Sequence, residues 1–313
     1  MRAVPASYVR LQRRGQLHQR VEQALALLAD CRLCPRDCGV DRLAGKVGAC
    51  RTGRQASVAS FHAHFGEEAP LVGSHGSGTI FFSWCNLRCL FCQNYEISQL
   101  GEGEAVTPDT LAMMMLVLQQ RGSHNINLVS PSHVVPQIME ALELAIEYGL
   151  TIPLVYNTGG YDALETLALL DGIVDIYMPD VKYADAAIAQ ELSGIKDYPA
   201  HNRAAVKEMY RQVGDLTIDT GGVATRGLLV RHLVLPEGLA GTADVVQFLA
   251  TEISPHTYLN VMDQYRPCHQ AHTRPPLDRP LTRQEYQQAV DLALAAGLTR
   301  LDDRQRLAVW LWG

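Results

Sequence analysis

Apolar residues near the N-terminus recur at helical spacing, and this pattern changes further along the chain. We predict one amphipathic helix over residues 1 to about 30, leading into a cysteine-rich stretch from Cys31 to Cys50. The apolar face of this helix is formed by Leu17, Val21, Ala24, Leu25 and Leu28. From Gly76 onward, short β-like runs alternate with helical ones, which is typical of βαβ units on a parallel sheet.

Six short runs, rich in β-branched or aromatic residues, are the predicted strands. They are Thr79–Trp84, Ile126–Val129, Pro153–Asn157, Val174–Met178, Leu228–Leu235 and Tyr258–Met262. Six strands fit an incomplete barrel better than the eight of a closed one. We therefore predict an α/β fold, a partial (β/α)6 barrel with a cysteine-rich N-terminal extension and a C-terminal helical tail. Right-handed crossovers would place all strand C-termini on one face.

The intervening helices carry their own signals. Thr107 can cap a helix that has Pro108 at its first position, and residues 132–149 and 161–170 show helical apolar spacing. A Pro-rich and polar stretch, residues 266–280, is predicted to be a linker. After it, Thr282 and Glu285 form a capping box that opens a last helix.

These boundaries divide the chain into three predicted units. They are an N-terminal helix and cysteine-rich segment (1–75), a barrel (76–268), and a linker with a C-terminal helix (269–313).

Composition narrows the classes of function. The 33 acidic and 27 basic side chains give a net charge of −6, which disfavours a general attraction to nucleic acid or to an anionic membrane. The longest apolar run, residues 111–118, is too short for a membrane helix, and the N-terminus does not have the pattern of a secretory signal. We expect a cytoplasmic protein, in which cysteines serve as metal ligands or reactive thiols rather than as disulfides.

Three cysteines lie within eight residues, directly after the first predicted strand. The run is Cys85-Asn-Leu-Arg-Cys89-Leu-Phe-Cys92. A structural zinc site or an electron-transfer cluster uses four protein ligands, and no fourth cysteine lies nearby in the sequence. The open position predicts a ligand supplied by substrate or cofactor, whereas a zinc knuckle or core cysteines are the simpler alternatives.

The CxxxCxxC motif, with Phe91 before its last cysteine, resembles the defining motif of the radical S-adenosylmethionine superfamily. Residues 78–94, together with Val129-Ser-Pro-Ser-His133 and Tyr177-Met-Pro-Asp-Val-Lys-Tyr183, resemble a group related to the activating enzymes of pyruvate formate-lyase. The resemblance implies a [4Fe–4S] cluster on the three cysteines, with S-adenosylmethionine on the fourth iron. It also implies reductive cleavage of that cofactor to a 5′-deoxyadenosyl radical, which takes a hydrogen atom from substrate.

The same resemblance implies a cofactor role for Asp180 and Lys182, just past the fourth strand, where they would contact S-adenosylmethionine or line the substrate entrance. A surface ion pair is the alternative for these two residues. Four more polar residues lie at predicted strand C-termini, where barrels build their sites. They are Ser130, Asn157, Arg231 and Asp263, for which a capping or loop hydrogen bond is the alternative.

The N-terminal segment carries a second group, Cys31, Cys34, Cys38 and Cys50, whose spacing suits one metal site. Zinc, an auxiliary iron–sulfur cluster and four reduced thiols all remain open, because thiolates bind zinc and iron alike.

The function predicted from these features is that of a radical S-adenosylmethionine oxidoreductase, supplied with electrons by a donor such as a flavodoxin or ferredoxin. The resemblance implies activation of a glycyl-radical enzyme as the leading specific activity, in which case the substrate is a protein. Radical modification of another protein or of a small molecule is the alternative. A non-enzymatic electron carrier is the rival from another class, and it requires Cys268 as the fourth ligand.

Overall fold

Nine strands form one sheet in the computed structural model, which describes residues 6–302. The strands are β1 (Ala56–His64), β2 (Ser77–Phe82), β3 (Glu104–Val106), β4 (Ile126–Val129), β5 (Leu154–Thr158), β6 (Ile176–Pro179), β7 (Thr217–Ile218), β8 (Ala224–Leu233) and β9 (Tyr258–Met262). Strands β2, β4, β5, β6, β8 and β9 pair in that order, and all five of these pairings are parallel. Each of the six predicted strands is present, and their C-terminal ends share one edge of the sheet.

The remaining strands are antiparallel additions to this parallel sheet. Strand β1 pairs with β2, β3 pairs with β1, and β7 pairs with β8. The sequence pattern did not predict β1, which lies within the N-terminal segment. Its residue Phe61 stands opposite Ile80, so this part of the N-terminal segment is continuous with the sheet.

Helices precede the first strand, occupy most of the connections between strands, and follow the last strand. They are α1 (Ser7–Arg13), α2 (Leu17–Ala26), α3 (Ala69–Val72), α4 (Pro108–Gln120), α5 (Val135–Glu147), α6 (Leu164–Leu169), α7 (Ala186–Ser193), α8 (Tyr198–Val213), α9 (Thr242–Phe248) and α10 (Arg283–Ala295). The predicted caps are confirmed, because Thr107 accepts a hydrogen bond from the Thr110 amide and Thr282 forms a capping box with Glu285. Within residues 6–302, no helix combines the length and apolar character that a bilayer crossing demands.

The two faces of the parallel sheet differ in chemistry. Successive side chains along a strand point to opposite faces of the sheet, so every second one points toward the helices and the others point to the opposite face. Ile126 and Leu128 belong to the main apolar core with α4 and α5, whereas Asn127 between them lies on the other face. The same alternation puts Asn157 and Arg231 on that second face, which therefore carries the polar chemistry.

Two predictions about segments outside the parallel sheet are wrong. The single N-terminal helix is two helices, because Gly15 takes a positive φ of 68° and ends α1; residues 1–5 lie outside the described part. The predicted linker is packed rather than free. Its Gln270 amide donates to the Leu90 carbonyl at 2.9 Å, and Tyr265 donates to the carbonyl of the buried Leu277 at 2.7 Å. Of the predicted C-terminal tail, residues 303–313 lie outside the described part.

Candidate active site

A cavity of about 230 Å³ lies at the C-terminal edge of the parallel strands. Its polar and sulfur-bearing lining comes from the cysteine loop with the segment just after it, and from five of the strand ends. These residues are Cys85, Cys89, Cys92, Gln93, Asn94, Ser98, Ser130, Asn157, Thr158, Asp180, Lys182, Arg231, Met262 and Gln264. The cavity thus brings together the three cysteines of the motif and the five residues predicted to bind S-adenosylmethionine.

The cysteine loop is held by backbone contacts on both sides. The Leu90 amide donates to the Leu192 carbonyl at 2.9 Å, and the Gln99 side chain donates to the Cys89 carbonyl at 2.9 Å. Gly159 lets the loop come close, since a Cβ there would lie 2.7 Å from Leu87 Cδ1. The loop is therefore seated on the end of β5.

Each thiol of the loop has a polar neighbour. The Leu87 amide lies 3.4 Å from Cys85 Sγ, Ser193 donates to Cys89 Sγ at 3.0 Å, and the Ser98 hydroxyl lies 3.2 Å from Cys92 Sγ. Burial raises the pKa of the Cys85 thiol to about 12. A thiolate is therefore costly there unless positive charge is supplied, and a metal–sulfur cluster supplies it. The donor set, three thiols around one cavity, fits a cluster with one open iron.

Beside the thiols lies a buried group of charges. Asp180 accepts from Lys182 Nζ at 2.6 Å and from Arg231 Nε at 2.8 Å, and Arg231 also donates to Asn157 Oδ1 at 2.8 Å. Burial raises the pKa of Asp180, but Arg231 and Lys182 outweigh it and hold that pKa below its usual range. Burial opposes the charge on Lys182, yet Asp180 raises the pKa of Lys182 to about 12. These two groups therefore stay ionised at neutral pH, and the surface ion pair considered as an alternative is instead largely buried.

Two further residues extend this group, and the sequence pattern did not indicate them. Glu68 is buried, with an oxygen 4.0 Å from Arg231 Nε, and it accepts from Asn260 at 2.9 Å. Burial raises the pKa of Glu68. Glu68 directly precedes the four-residue helix α3 and is far from Arg231 in sequence, so only the folded chain brings the two together.

Three residues named from the sequence lie elsewhere: the candidates Asp263 and Cys268, and His133 of the motif that follows β4. Asp263 is exposed and Cys268 is half-buried, and neither is among the described residues that line the cavity. His133 is buried, its Nε2 lies 3.0 Å from the Ser83 carbonyl, and burial lowers its pKa to about 4. His133 is therefore neutral and structural. The electron-carrier alternative requires Cys268 as a fourth ligand, and Cys268 is not among the described residues that line the cavity.

Two solved structures resemble the fold over 70% of this chain. They are a radical SAM methyltransferase from Sphaerobacter thermophilus, with a TM-score of 0.46 and 15% identity, and HydG, a maturase of the [FeFe]-hydrogenase, with a TM-score of 0.48 and 11% identity. The chain spans 64% of the first and 48% of the second, less than two thirds of either.

Sequence comparison gives the stronger relationship. The chain is 30% identical over 284 residues to the uncharacterized protein MJ0674 of Methanocaldococcus jannaschii, an alignment that covers 88% of this chain and 78% of that protein. Residues 79–232, from β2 to β8 with the whole cysteine loop, match the family described as the Radical SAM superfamily. That family implies an enzyme with a [4Fe–4S] cluster and S-adenosylmethionine. The chain belongs to the Radical SAM superfamily.

Proposed function

We propose that this protein is an oxidoreductase that reductively cleaves S-adenosylmethionine at a [4Fe–4S] cluster held by Cys85, Cys89 and Cys92. One observation carries the proposal: the three thiols line the same cavity as the buried charge group of Asp180, Lys182 and Arg231. When bound and reduced, the cluster and S-adenosylmethionine supply a 5′-deoxyadenosyl radical.

The residues of the chain have distinct parts in this proposal. The amino acid end of S-adenosylmethionine carries a carboxylate and an ammonium group, which need a cation and an anion nearby. Lys182 and Arg231 offer the cations and Asp180 offers the anion, while Ser130 and Asn157 add neutral hydrogen-bonding groups to the same wall. Leu87, Phe91, Leu233 and Met262 form an apolar part of the wall and exclude water, which would otherwise screen these charges.

The finer features of the proposal come from the sequence, partly from its pattern and composition and partly from the family resemblance. They are a partial (β/α)6 barrel over residues 76–268, flanked by the segments 1–75 and 269–313, a cytoplasmic location, and a flavodoxin or ferredoxin as electron donor. Activation of a glycyl-radical enzyme is the specific reaction we favour, with radical modification of another protein or of a small molecule as the alternative.

Cofactor cleavage is tested with anaerobically reconstituted protein, reduced with dithionite and incubated with S-adenosylmethionine. We expect 5′-deoxyadenosine to accumulate with the wild-type chain and with Cys268→Ser, a matched control that removes a cysteine outside the cavity wall. Cys89→Ala should form none. Equal product from Cys89→Ala and wild type, or no product from a wild-type chain whose cluster is confirmed by its spectrum, would refute the proposal.

A further inference from the structure

The N-terminal cysteine segment lies directly against the cysteine loop of the active site. Its thiols, those of Cys31, Cys34, Cys38 and Cys50, all line one narrow cavity, and a metal on them stays a prediction. Between these thiols the segment turns outward at residues 35 and 36. There it forms one wall of a surface groove to which the proposed function gives no role.

This groove has a volume of about 560 Å³ and is separate from the cavity of the active site. Its other wall is the loop between α7 and α8. The lining combines apolar, cationic and anionic side chains, which include Pro35, Tyr161, Ile195, Arg36, Lys196 and Asp197. None of these residues lines the active-site cavity. The groove therefore offers a second approach to the cysteine loop, from outside.

A single residue connects the wall of the groove with a proposed cluster ligand. Arg36 Nε donates to the Asn86 carbonyl at 2.9 Å, and the Asn86 side chain donates to the Tyr161 carbonyl at 2.6 Å. Asn86 directly follows Cys85, and its Oδ1 lies 3.8 Å from Cys85 Sγ. Cys85 thus lines the active-site cavity and is linked to the groove through Asn86.

Such a position suits the entry of electrons. The cavity is where S-adenosylmethionine would bind, so a donor protein needs another approach to the cluster. Electron transfer between proteins slows steeply with distance, and a partner seated in the groove would have only Arg36, Tyr161 and Asn86 between itself and Cys85. A groove at this place can therefore serve the cluster without disturbing the cofactor.

The charges of the groove fit an acidic partner. Within residues 6–302, neither Arg36 nor the exposed Lys196 forms an ion pair with a carboxylate. Asp197, the acid among the described lining residues, already accepts from the Tyr161 hydroxyl at 2.8 Å and lies 3.4 Å from His201 Nε2. The whole chain carries a charge of −6 and repels an acidic protein, so steering such a protein requires local cations.

We propose that this groove is the docking site of reduced flavodoxin, whose acidic surface matches the two cations and whose apolar flavin edge matches Pro35 and Ile195. The flavin hydroquinone anion loses one electron and becomes the neutral semiquinone, while the cluster passes from its 2+ to its 1+ state. The contact is a weak and transient one, as is usual for electron-transfer complexes. This docking site rests on the proposed function, because its purpose is to supply that cluster.

Reduction of the cluster by flavodoxin hydroquinone tests the docking site, in full-length, anaerobically reconstituted protein without S-adenosylmethionine, followed by stopped-flow absorbance. At low ionic strength, Lys196→Glu should lower the second-order rate constant by about fivefold or more. Ala186→Glu, which adds a negative charge to the same wall, should lower it similarly. Ala186 is the first residue of α7, where an acid favours the helix, so this second variant should fold. Both differences should shrink at about 1 M salt, which screens the charges.

Arg121→Glu is the matched control, since it makes the same change of charge at the exposed end of α4, ahead of β4 and at the opposite edge of the sheet. It should keep the wild-type rate with flavodoxin. Photoreduced 5-deazariboflavin, which is small and uncharged, should reduce the cluster equally fast in every variant.

Three results overturn the docking site. They are wild-type rates with flavodoxin in both Lys196→Glu and Ala186→Glu, an equal loss in Arg121→Glu, and an equal loss with 5-deazariboflavin, which would mean that the substitutions act on the cluster itself. Failure of the proposed function looks different. A wild-type chain whose cluster takes up the electron but forms no 5′-deoxyadenosine refutes that function and leaves the docking site standing.

Discussion

The buried charge group beside the cysteine loop gives the sharpest prediction about stability. Asp180 is the only described anion in hydrogen-bond contact with both Lys182 and Arg231. The substitution Asp180→Asn keeps the size of the side chain and removes its charge. It leaves two buried cations near each other, with Glu68, 4.0 Å from Arg231, and Glu67 as the remaining acidic neighbours.

The magnitude follows from the distances and from the burial. At separations of 2.6 and 2.8 Å, each pair has a Coulomb energy of about 6 kcal/mol at an effective dielectric constant of about 20, before desolvation. The three side chains are only 13–18% exposed, so the pairs belong to the buried class. Breaking a buried pair costs about 3–5 kcal/mol, and we expect Asp180→Asn to lower the free energy of unfolding by about 3 kcal/mol.

Urea denaturation of the protein under anaerobic conditions, followed by circular dichroism, measures this loss. Lys182→Met should cost less, because Asp180 keeps Arg231 as a partner. The double variant should cost less than the sum of the two single ones by about 1 kcal/mol or more, since the removed groups act on each other. Glu252→Gln, which breaks an exposed pair with Lys207, serves as control and should change little. Additive losses, or a loss from Asp180→Asn no larger than the control, would refute the reasoning.

Three more predictions concern the framework around the site. The Nδ1 of His232 lies 2.7 Å from the Val181 carbonyl, and burial lowers the pKa of His232. The contribution of neutral His232 to the free energy of unfolding is therefore complete above about pH 6.5 and is lost on acidification, by up to about 1.4 kcal/mol per pH unit. The free energy of urea unfolding should depend less steeply on pH in His232→Asn, and an equal slope contradicts this. Thr282→Ala removes the cap of α10 and should cost about 1 kcal/mol in the same assay, whereas no loss would mean that the cap contributes nothing. Gly160→Ala should lower the melting temperature far more than Gly194→Ala. Both glycines have positive φ, but of the two only Gly160 has another atom close to where a Cβ would lie, namely Asn202 Nδ2 at 2.2 Å. Equal losses would show that the space at Gly160 is not limiting.

The strands of the parallel sheet could be predicted because their signal is local. Ile126–Val129 and Tyr258–Met262 are observed with the predicted bounds, since each is a short apolar run between polar segments. Strand β1 was missed because its sequence, ASVASFHAH, is rich in alanine, serine and histidine, and its strand conformation depends on pairing with β2. The local sequence of β1 gives no information about its pairing with β2.

Some residues of the candidate site could likewise be predicted from the sequence, and others could not. The three cysteines lie within eight residues, so their motif is visible in the sequence. The strand ends that carry Asn157 and Arg231 could be inferred because parallel strands share an edge. Glu68 and Asn260 could not, because they are 192 residues apart and meet only through the fold. The packed state of residues 266–280 was likewise hidden, since polar and proline-rich composition does not reveal a backbone hydrogen bond to Leu90.

The difference between the two faces of the sheet has a consequence for the evolution of this protein. Helices α4 and α5 pack on Ile126 and Leu128, while Asn127 lies on the opposite face, buried and with neither end of its amide hydrogen-bonded to described residues. A mutation at such a position acts on the face that also carries Asn157 and Arg231, and it leaves the helix packing intact. Descendants of one ancestral chain can therefore change polar positions on that face without repacking the helices on the other.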